Sequence, residues 1–174
     1  MKLNLGCGAD LRGLPWTNVD WRFPKNAPGT NLCWDLNETP LPFQTDSIEE
    51  IYASHILEHL EDYEELVLDC HRMLAPGGIL NIRVPYGFYP VWGHKRFFIP
   101  QTLDYCIKTG AVMRKDVPGF EESTNDKRVD FELIFREIIR RLPFQWHIKK
   151  YLKIEPPHDF FIGHKWEIRW SLRK

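Results

Sequence analysis

The sequence predicts an α/β fold: a mostly parallel sheet of seven strands, an antiparallel C-terminal strand, and a shortened first crossover. Three observations carry this. Met1-Lys-Leu-Asn-Leu-Gly-Cys-Gly8 is a short strand that runs straight into two glycines. Residues 47–85 read strand, helix, Ala75-Pro-Gly-Gly78, strand, which is a parallel crossover unit. Trp166, Ile168, Trp170 and Leu172 alternate with Glu167, Arg169 and Ser171, a half-buried strand suited to closing a sheet antiparallel.

Leu3 and Leu5 flank Asn4 in the first strand, and Gly6-Cys7-Gly8 follows. Glycines at that place let the chain turn sharply and let a ligand come close, because no Cβ intervenes. Ala9 to Trp16 contains Gly13 and Pro15, so it holds at most one helical turn. Thr17-Asn-Val-Asp20 is the second strand and Asn31-Leu-Cys-Trp-Asp35 the third, each ending in an acid. Leu36 to Phe43 carries Pro40 and Pro42 and reads as a loop. Ser47 to Ser54 is the fourth strand. In the helix that follows, Tyr63, Leu66, Val67, Cys70 and Leu74 share one face, and Asp62 with Glu65 resembles a capping box. Ile79 to Pro85 is the fifth strand.

Pro100 to Thr109 reads as a short helix closed by Gly110, and Glu121 to Lys127 as a polar loop. Val129, Phe131, Leu133 and Phe135 alternate with their neighbours and give a sixth strand. Pro143 to Lys153 reads as an amphipathic helix through Phe144, Ile148, Tyr151 and Leu152. Glu49 and Glu50 are read as a solvated strand start.

A chain of 174 residues suggests one domain, and 43% apolar with 27% charged residues is ordinary for a soluble globule. The net charge of −1 provides no long-range field for nucleic acid or an anionic membrane. Cys7, Cys33, Cys70 and Cys106 are scattered without a C-x-x-C pair, which argues against a metal ribbon or a disulfide framework and for reduced thiols. With no leader-like stretch and no spanning apolar run, a cytoplasmic location is expected.

The motifs resemble those of class I S-adenosylmethionine-dependent methyltransferases. The matching pieces are Leu3-Asn-Leu-Gly-Cys-Gly8, Asn18-Val-Asp20, Trp34-Asp-Leu36 with Pro40-Leu-Pro-Phe43, Ile51-Tyr-Ala-Ser-His55, and Arg72-Met-Leu-Ala-Pro-Gly-Gly-Ile-Leu80. They stand in the family's order over roughly the first half of the chain, and the likeness is to small bacterial members. The resemblance implies a Rossmann-like, doubly wound sheet and S-adenosyl-L-methionine as cofactor. It also implies roles. Gly6, Cys7 and Gly8 would approach the amino-acid end of the cofactor. Asp20 would accept from both ribose hydroxyls. Asp35 with the Leu36 amide would read the adenine edge. Ser54 and His55 would adjoin the site where strand order reverses.

The expected activity is methyl transfer to a small acceptor at oxygen or nitrogen, with a saccharide among the candidates. His55, His59 and His94 are the candidate bases, since imidazole titrates near neutrality. Tyr86, Trp92, His94 and Arg96 are the candidate substrate contacts. They lie in an aromatic and basic stretch whose alternative use, stacking on single-stranded nucleic acid, fits poorly with the balanced charge. With strand one at the start of the chain, residues 86–127 are expected to cover the substrate. The Gly8 to Asp20 separation of 12 is shorter than the family's usual spacing. The lost helix should leave apolar sheet to be covered by the Phe144–Leu152 helix or by a second copy in a homodimer.

Two alternatives stand beside this reading. One is a methyltransferase-like domain without catalysis that serves as a binding scaffold. The other is a zinc hydrolase, because His55-Ile-Leu-Glu-His59 matches H-x-x-E-H. That motif needs a helix and here follows a strand, so no metal ligands are assigned. Gly6-Cys-Gly8 lacks the third glycine of a nicotinamide site. His158 and His164, flanking Asp159, could reach the cleft or be structural.

Overall fold

The computed structural model describes residues 1–23, 29–87, 93–107, 129–140 and 166–174. The strands are β1 (Lys2–Leu5), β2 (Trp16–Asp20), β3 (Thr30–Cys33), β4 (Ile48–Ser54), β5 (Leu74–Pro85), β6 (Glu132–Arg140) and β7 (Trp166–Arg173). They form one seven-stranded sheet in the order β3-β2-β1-β4-β5-β7-β6. β1 to β5 pair in parallel, and β7 runs antiparallel to both of its neighbours, β5 and β6. The order reverses between β1 and β4, the switch point at which open α/β sheets bind ligands. The sheet is the Rossmann-like one that the motifs imply.

One face of the sheet is dry. Leu3, Leu5, Val19, Ile51, Leu80, Ile82, Ile168 and Leu172 are all buried there. The helix α1 (Tyr63–Met73) joins them through Leu66, Val67, Cys70 and Met73 in one continuous core. Its N-cap is Asp62, whose side chain accepts from the Glu64 and Glu65 amides, satisfying donors that a helix start leaves open. α1 also holds the loop before β4. Buried Asp69 accepts from the Leu41 amide at 2.7 Å and pairs with Arg72, which donates to the Phe43 and Leu41 carbonyls.

The other face differs from expectation. Residues 6–15 hold no helix, as the short spacing predicts, yet the sheet beneath them is not apolar. Register places Asn31, Asn18, Asn4, Tyr52, Asn81 and Ser171 in one row across six strands. Asn4 donates to the Asp10 carbonyl at 2.7 Å and to Asn18 at 3.0 Å. Asn18 accepts from the Arg12 amide at 2.9 Å, donates back to the Arg12 carbonyl at 3.0 Å, and donates to Asn31 at 3.1 Å. Arg12 then lays its guanidinium 3.7 Å from the Tyr52 ring and 4.5 Å from the Trp16 ring. A ladder of side-chain amides therefore does the positioning that a crossover helix does elsewhere. Asn4 and Asn18 are buried at 2% and 0% exposure, tolerable only because their polar atoms are paired. The proposed cover, residues 144–152, lies outside the described residues.

Several expected boundaries move. β3 stops at Cys33, so Asp35 sits in the following loop. β5 is counted from Leu74, but its register jumps after Ile48–Leu74, and the Pro-Gly-Gly segment bulges out with Gly77 at φ +81°. β6 covers Glu132–Arg140 rather than Val129 to Phe135. A register shift between Leu133 and Phe135 breaks the alternation, leaving Phe131 buried and Phe135 exposed. In place of the helix expected from Pro100 there is, over the described part, a 3-10 turn at Asp104–Cys106. In β7, Glu167 and Ser171 are buried along with the apolar positions, so that strand is covered on both sides. Glu50 is no solvated start: it takes Lys2 at 2.8 Å and Asn81 at 3.0 Å.

The amide ladder is testable. Asn18→Ala strips four residues of a partner, and losing buried hydrogen bonds of this kind costs about 2–3 kcal/mol. Urea unfolding of the variant should show that loss, whereas Asn31→Ala, at the half-exposed end of the row, should lose under about 1 kcal/mol.

Candidate active site

The turn after β1 closes onto the end of β2. The Gly6 amide donates to the Val19 carbonyl at 2.8 Å, and the Gly8 amide donates to Asp20 Oδ2 at 2.8 Å. Gly6 and Gly8 take φ of +61° and +50°, a region that a side chain disfavours. A Cβ on Gly6 would also meet the Ile56 side chain at 2.5 Å, so that space is filled by packing. Above Gly8 nothing lies within 4 Å, and there the approach is open. Cys7 between them is buried. Burial, helped by the Asp20 charge, pushes its thiol up to about 11, which leaves it protonated and unreactive.

Asp20 is 8% exposed and lies between two adjoining cavities. The first, about 260 Å³, is lined by Gly6, Asp20, Trp21, Asp35 and Leu36, with Ile56, His59 and Leu60 behind them. The second, about 450 Å³, runs past Gly8, Ala9, Trp21 and Arg22. Together they reach the ~300–1,000 Å³ of small-molecule sites. Asp35 also caps its own loop, since Oδ1 accepts from the Asn37 amide and side chain, each at 2.9 Å. Gly6, Asp20, Asp35 and Leu36, distant in sequence, thus share one wall. Trp21, Ile56 and Leu60 had not been singled out. Trp21 carried the clearest signal, since it follows Asp20 directly and is 64% exposed.

Ser54 ends β4 beside β1, half-buried. His55 follows in a left-handed conformation at φ +55°. Its Nδ1 faces Glu58 Oε1 at 3.2 Å and its Nε2 faces Glu167 Oε2 at 2.9 Å. Both carboxylates are completely buried. Two ring nitrogens can face two carboxylates attractively only if both carry hydrogen or a carboxyl is protonated. Arg169 adds its Nε to Glu167 Oε1 at 2.6 Å, so the two buried acids are met by the His55 ring and one guanidinium. His55 is therefore clamped, and among the described residues it does not line the cavity. The H-x-x-E-H reading loses its geometry. Leu57–His59 is a short 3-10 turn rather than an α-helix, and His55 stands at a strand end with both nitrogens engaged.

Residues 93–98 lie against this turn. The Lys95 amide donates to the Glu58 carbonyl at 2.8 Å, His59 Nδ1 bonds the Gly93 carbonyl at 2.9 Å, and Lys95 Nζ pairs with Glu61 at 2.5 Å. Arg96 donates to the Glu61 carbonyl and lies 5.7 Å from the Tyr63 ring. Burial and Glu64 push the Tyr63 hydroxyl up to about 12, so Tyr63 acts by packing edge-on against buried Phe98. His94 meets His59 edge-to-face with centroids 4.8 Å apart. Tyr86 is exposed at 42% and bridges to Phe98, whereas Phe97 points outward at 63%. Trp92, His158 and His164 lie outside the described residues.

The comparisons agree with this architecture. Residues 21–82 match the family model described as a methyltransferase domain. Among solved structures, the chain resembles an S-adenosylmethionine-dependent methyltransferase from Archaeoglobus fulgidus, with 14% identity, TM-score 0.61, 99% of this chain covered and 85% of that one. It is similar to 1,6-didemethyltoxoflavin-N1-methyltransferase from Burkholderia thailandensis, solved with S-adenosylhomocysteine, at 12% identity and TM-score 0.58, covering 99% of this chain and 70% of that one. It is equally similar in shape to the [4+2]-cyclase SpnF, at 13% identity and TM-score 0.62, covering 99% and 73%. At such identities these neighbours speak for the fold. A comparison with curated proteins returns no match. Over residues 21–82 the chain matches a methyltransferase-domain model, and its sheet has the fold of S-adenosylmethionine-dependent methyltransferases.

Two outcomes follow from the site's burial. Alkylation at pH 8 should modify exposed Cys33 well before Cys7 and Cys70, which react only on unfolding; mass spectrometry of a time course reads this. His55→Ala strands buried Glu58 and leaves Glu167 with Arg169 alone, and should cost about 3–5 kcal/mol of unfolding free energy in urea titrations, beyond what its volume explains.

Proposed function

We propose that this protein transfers the methyl group of S-adenosylmethionine to an oxygen or nitrogen of a small acceptor, a saccharide among the candidates, as a single domain working in the cytoplasm. The observation that carries the cofactor assignment is the bond from the Gly8 amide to Asp20, on the rim that Asp35 and Leu36 complete. The residues fit a nucleoside. A carboxylate at a strand end suits two ribose hydroxyls, and its Oδ1 is left beside the Oδ2 that Gly8 engages. The Leu36 amide and Asp35 suit an adenine edge, with Trp21 and Leu60 as apolar walls. Gly6, Cys7 and Gly8 offer backbone to the amino-acid end.

When bound, the cofactor supplies a methyl group already activated by its sulfonium. The chain's own work is then to orient the acceptor, exclude water and dispose of a proton. Ile56 and Leu60 keep the inner wall dry. Ser54 and clamped His55 set the shape of the β4 end. Proton handling falls to His59, which lines the cavity, and to His94 packed against it, because His55 has no nitrogen to spare for the acceptor. Tyr86, Trp92 and Arg96, with the rest of residues 86–127, are assigned to the acceptor side. No helix among the described residues is long and apolar enough to cross a membrane.

Calorimetry with S-adenosylhomocysteine tests the pocket. The wild-type chain should bind one equivalent, and Asp20→Ala should bind at least tenfold more weakly while keeping its circular dichroism spectrum. Unchanged affinity would move the nucleoside elsewhere.

A further inference from the structure

Beside the cofactor cavity, three groups from two segments converge. A carboxylate oxygen of Glu58, a ring nitrogen of His59 and a ring nitrogen of His94 all lie within 4.8 Å of one another. Glu58 is completely buried. Its Oε1 takes His55, while its Oε2 is buried with no hydrogen-bond partner. A carboxyl oxygen withdrawn from water without a partner is a deficit that native folds rarely carry without a use. His59 is oriented as metal-binding histidines are. A carbonyl only accepts, so the Gly93 carbonyl, 2.9 Å from Nδ1, fixes the hydrogen there and leaves the Nε2 lone pair available. The Lys95 amide, bonded to the Glu58 carbonyl, ties the His94 segment to the same turn. The neighbouring cations Lys95 and Arg96 are directed at Glu61 instead.

The geometry points to a divalent transition-metal site formed by Glu58, His59 and His94, on the His59 side of the cofactor cavity. One carboxylate and two imidazoles suit zinc or a neighbouring first-row ion rather than magnesium, which prefers oxygen ligands throughout. Ligands at ~2.0–2.2 Å from zinc in a tetrahedron stand ~3.4 Å apart, so the three groups draw together on binding, His94 toward the His59 ring that Gly93 holds. Three protein ligands leave a position open, the mark of a catalytic rather than structural ion. This deepens the methyltransferase reading and rests on it for one consequence: the acceptor is a hydroxyl compound. At the open position its oxygen loses a proton to solvent, and the O–CH₃ bond forms as the S–CH₃ bond breaks. His59 and His94 then hold the cation instead of taking the proton themselves. This site is distinct from the H-x-x-E-H arrangement, since His55 is no part of it.

The test uses the full chain, stripped with a chelator and titrated with zinc chloride in a calorimeter. One equivalent should bind. His94→Ala and His59→Ala should each weaken binding more than tenfold with an unchanged circular dichroism spectrum, and Cys33→Ser should change nothing. Cobalt in place of zinc should give visible d–d bands without a thiolate charge-transfer band. Absence of stoichiometric binding, binding that survives His94→Ala, or a thiolate band would overturn the site. Asp20→Ala separates the two readings: it should lose S-adenosylhomocysteine and retain zinc. If zinc fails while S-adenosylhomocysteine binds, the metal site alone is wrong.

Discussion

The row of side-chain amides across β1, β2 and β3 is the constraint on which the Gly6–Asp20 wall of the cavity depends. A parallel pair of strands normally needs a dozen or more residues between them, usually with a helix that buries its apolar stripe on the sheet. Here residues 6–15 make the return without one. Asn4 and Asn18 replace that hydrophobic contact with directed hydrogen bonds to the loop backbone, and Arg12 seals the top by lying across Tyr52 and Trp16. Hydrogen bonds fix position more sharply than apolar packing does. The glycine turn and Asp20, on either side of this loop, inherit that precision.

Much of this was legible in the residues. Leu3 and Leu5 around Asn4, the Asp62 cap, and the Trp166 to Leu172 alternation are local patterns, and local patterns report strands and helices faithfully. The polar row was not legible, because it exists only once register aligns asparagines from separate strands. Asn4 alone looks like the wet side of an edge strand. The same holds for Glu167. Its place in an alternating strand argues for solvent, yet it is buried against His55, 112 positions away in sequence. Asp35 shows the converse: its type and place beside Leu36 pointed to the cavity, although the strand supposed to deliver it ends at Cys33.

The histidines divide their tasks by environment rather than by motif. Clamped between two buried carboxyl groups, His55 is a structural partner that satisfies Glu58 and Glu167 inside the protein. His59 lines the cavity, and His94 packs against its ring from another segment. A five-residue pattern that hints at hydrolysis is thus split by one left-handed residue at the end of β4. The fold itself tolerates such variety: the structures that share it include both methyltransferases and a [4+2]-cyclase.

A loop without a helix thus presents a cavity already shaped by the sheet, the one proposed for the nucleoside. A crystal structure of the chain with S-adenosylhomocysteine examines this most directly. It should place both ribose hydroxyls on the Asp20 carboxylate and the adenine beside Leu36, with the Asn4–Asn18–Asn31 row unmoved. Density for the nucleoside away from Asp20, or a rebuilt loop over residues 6–15, would contradict it.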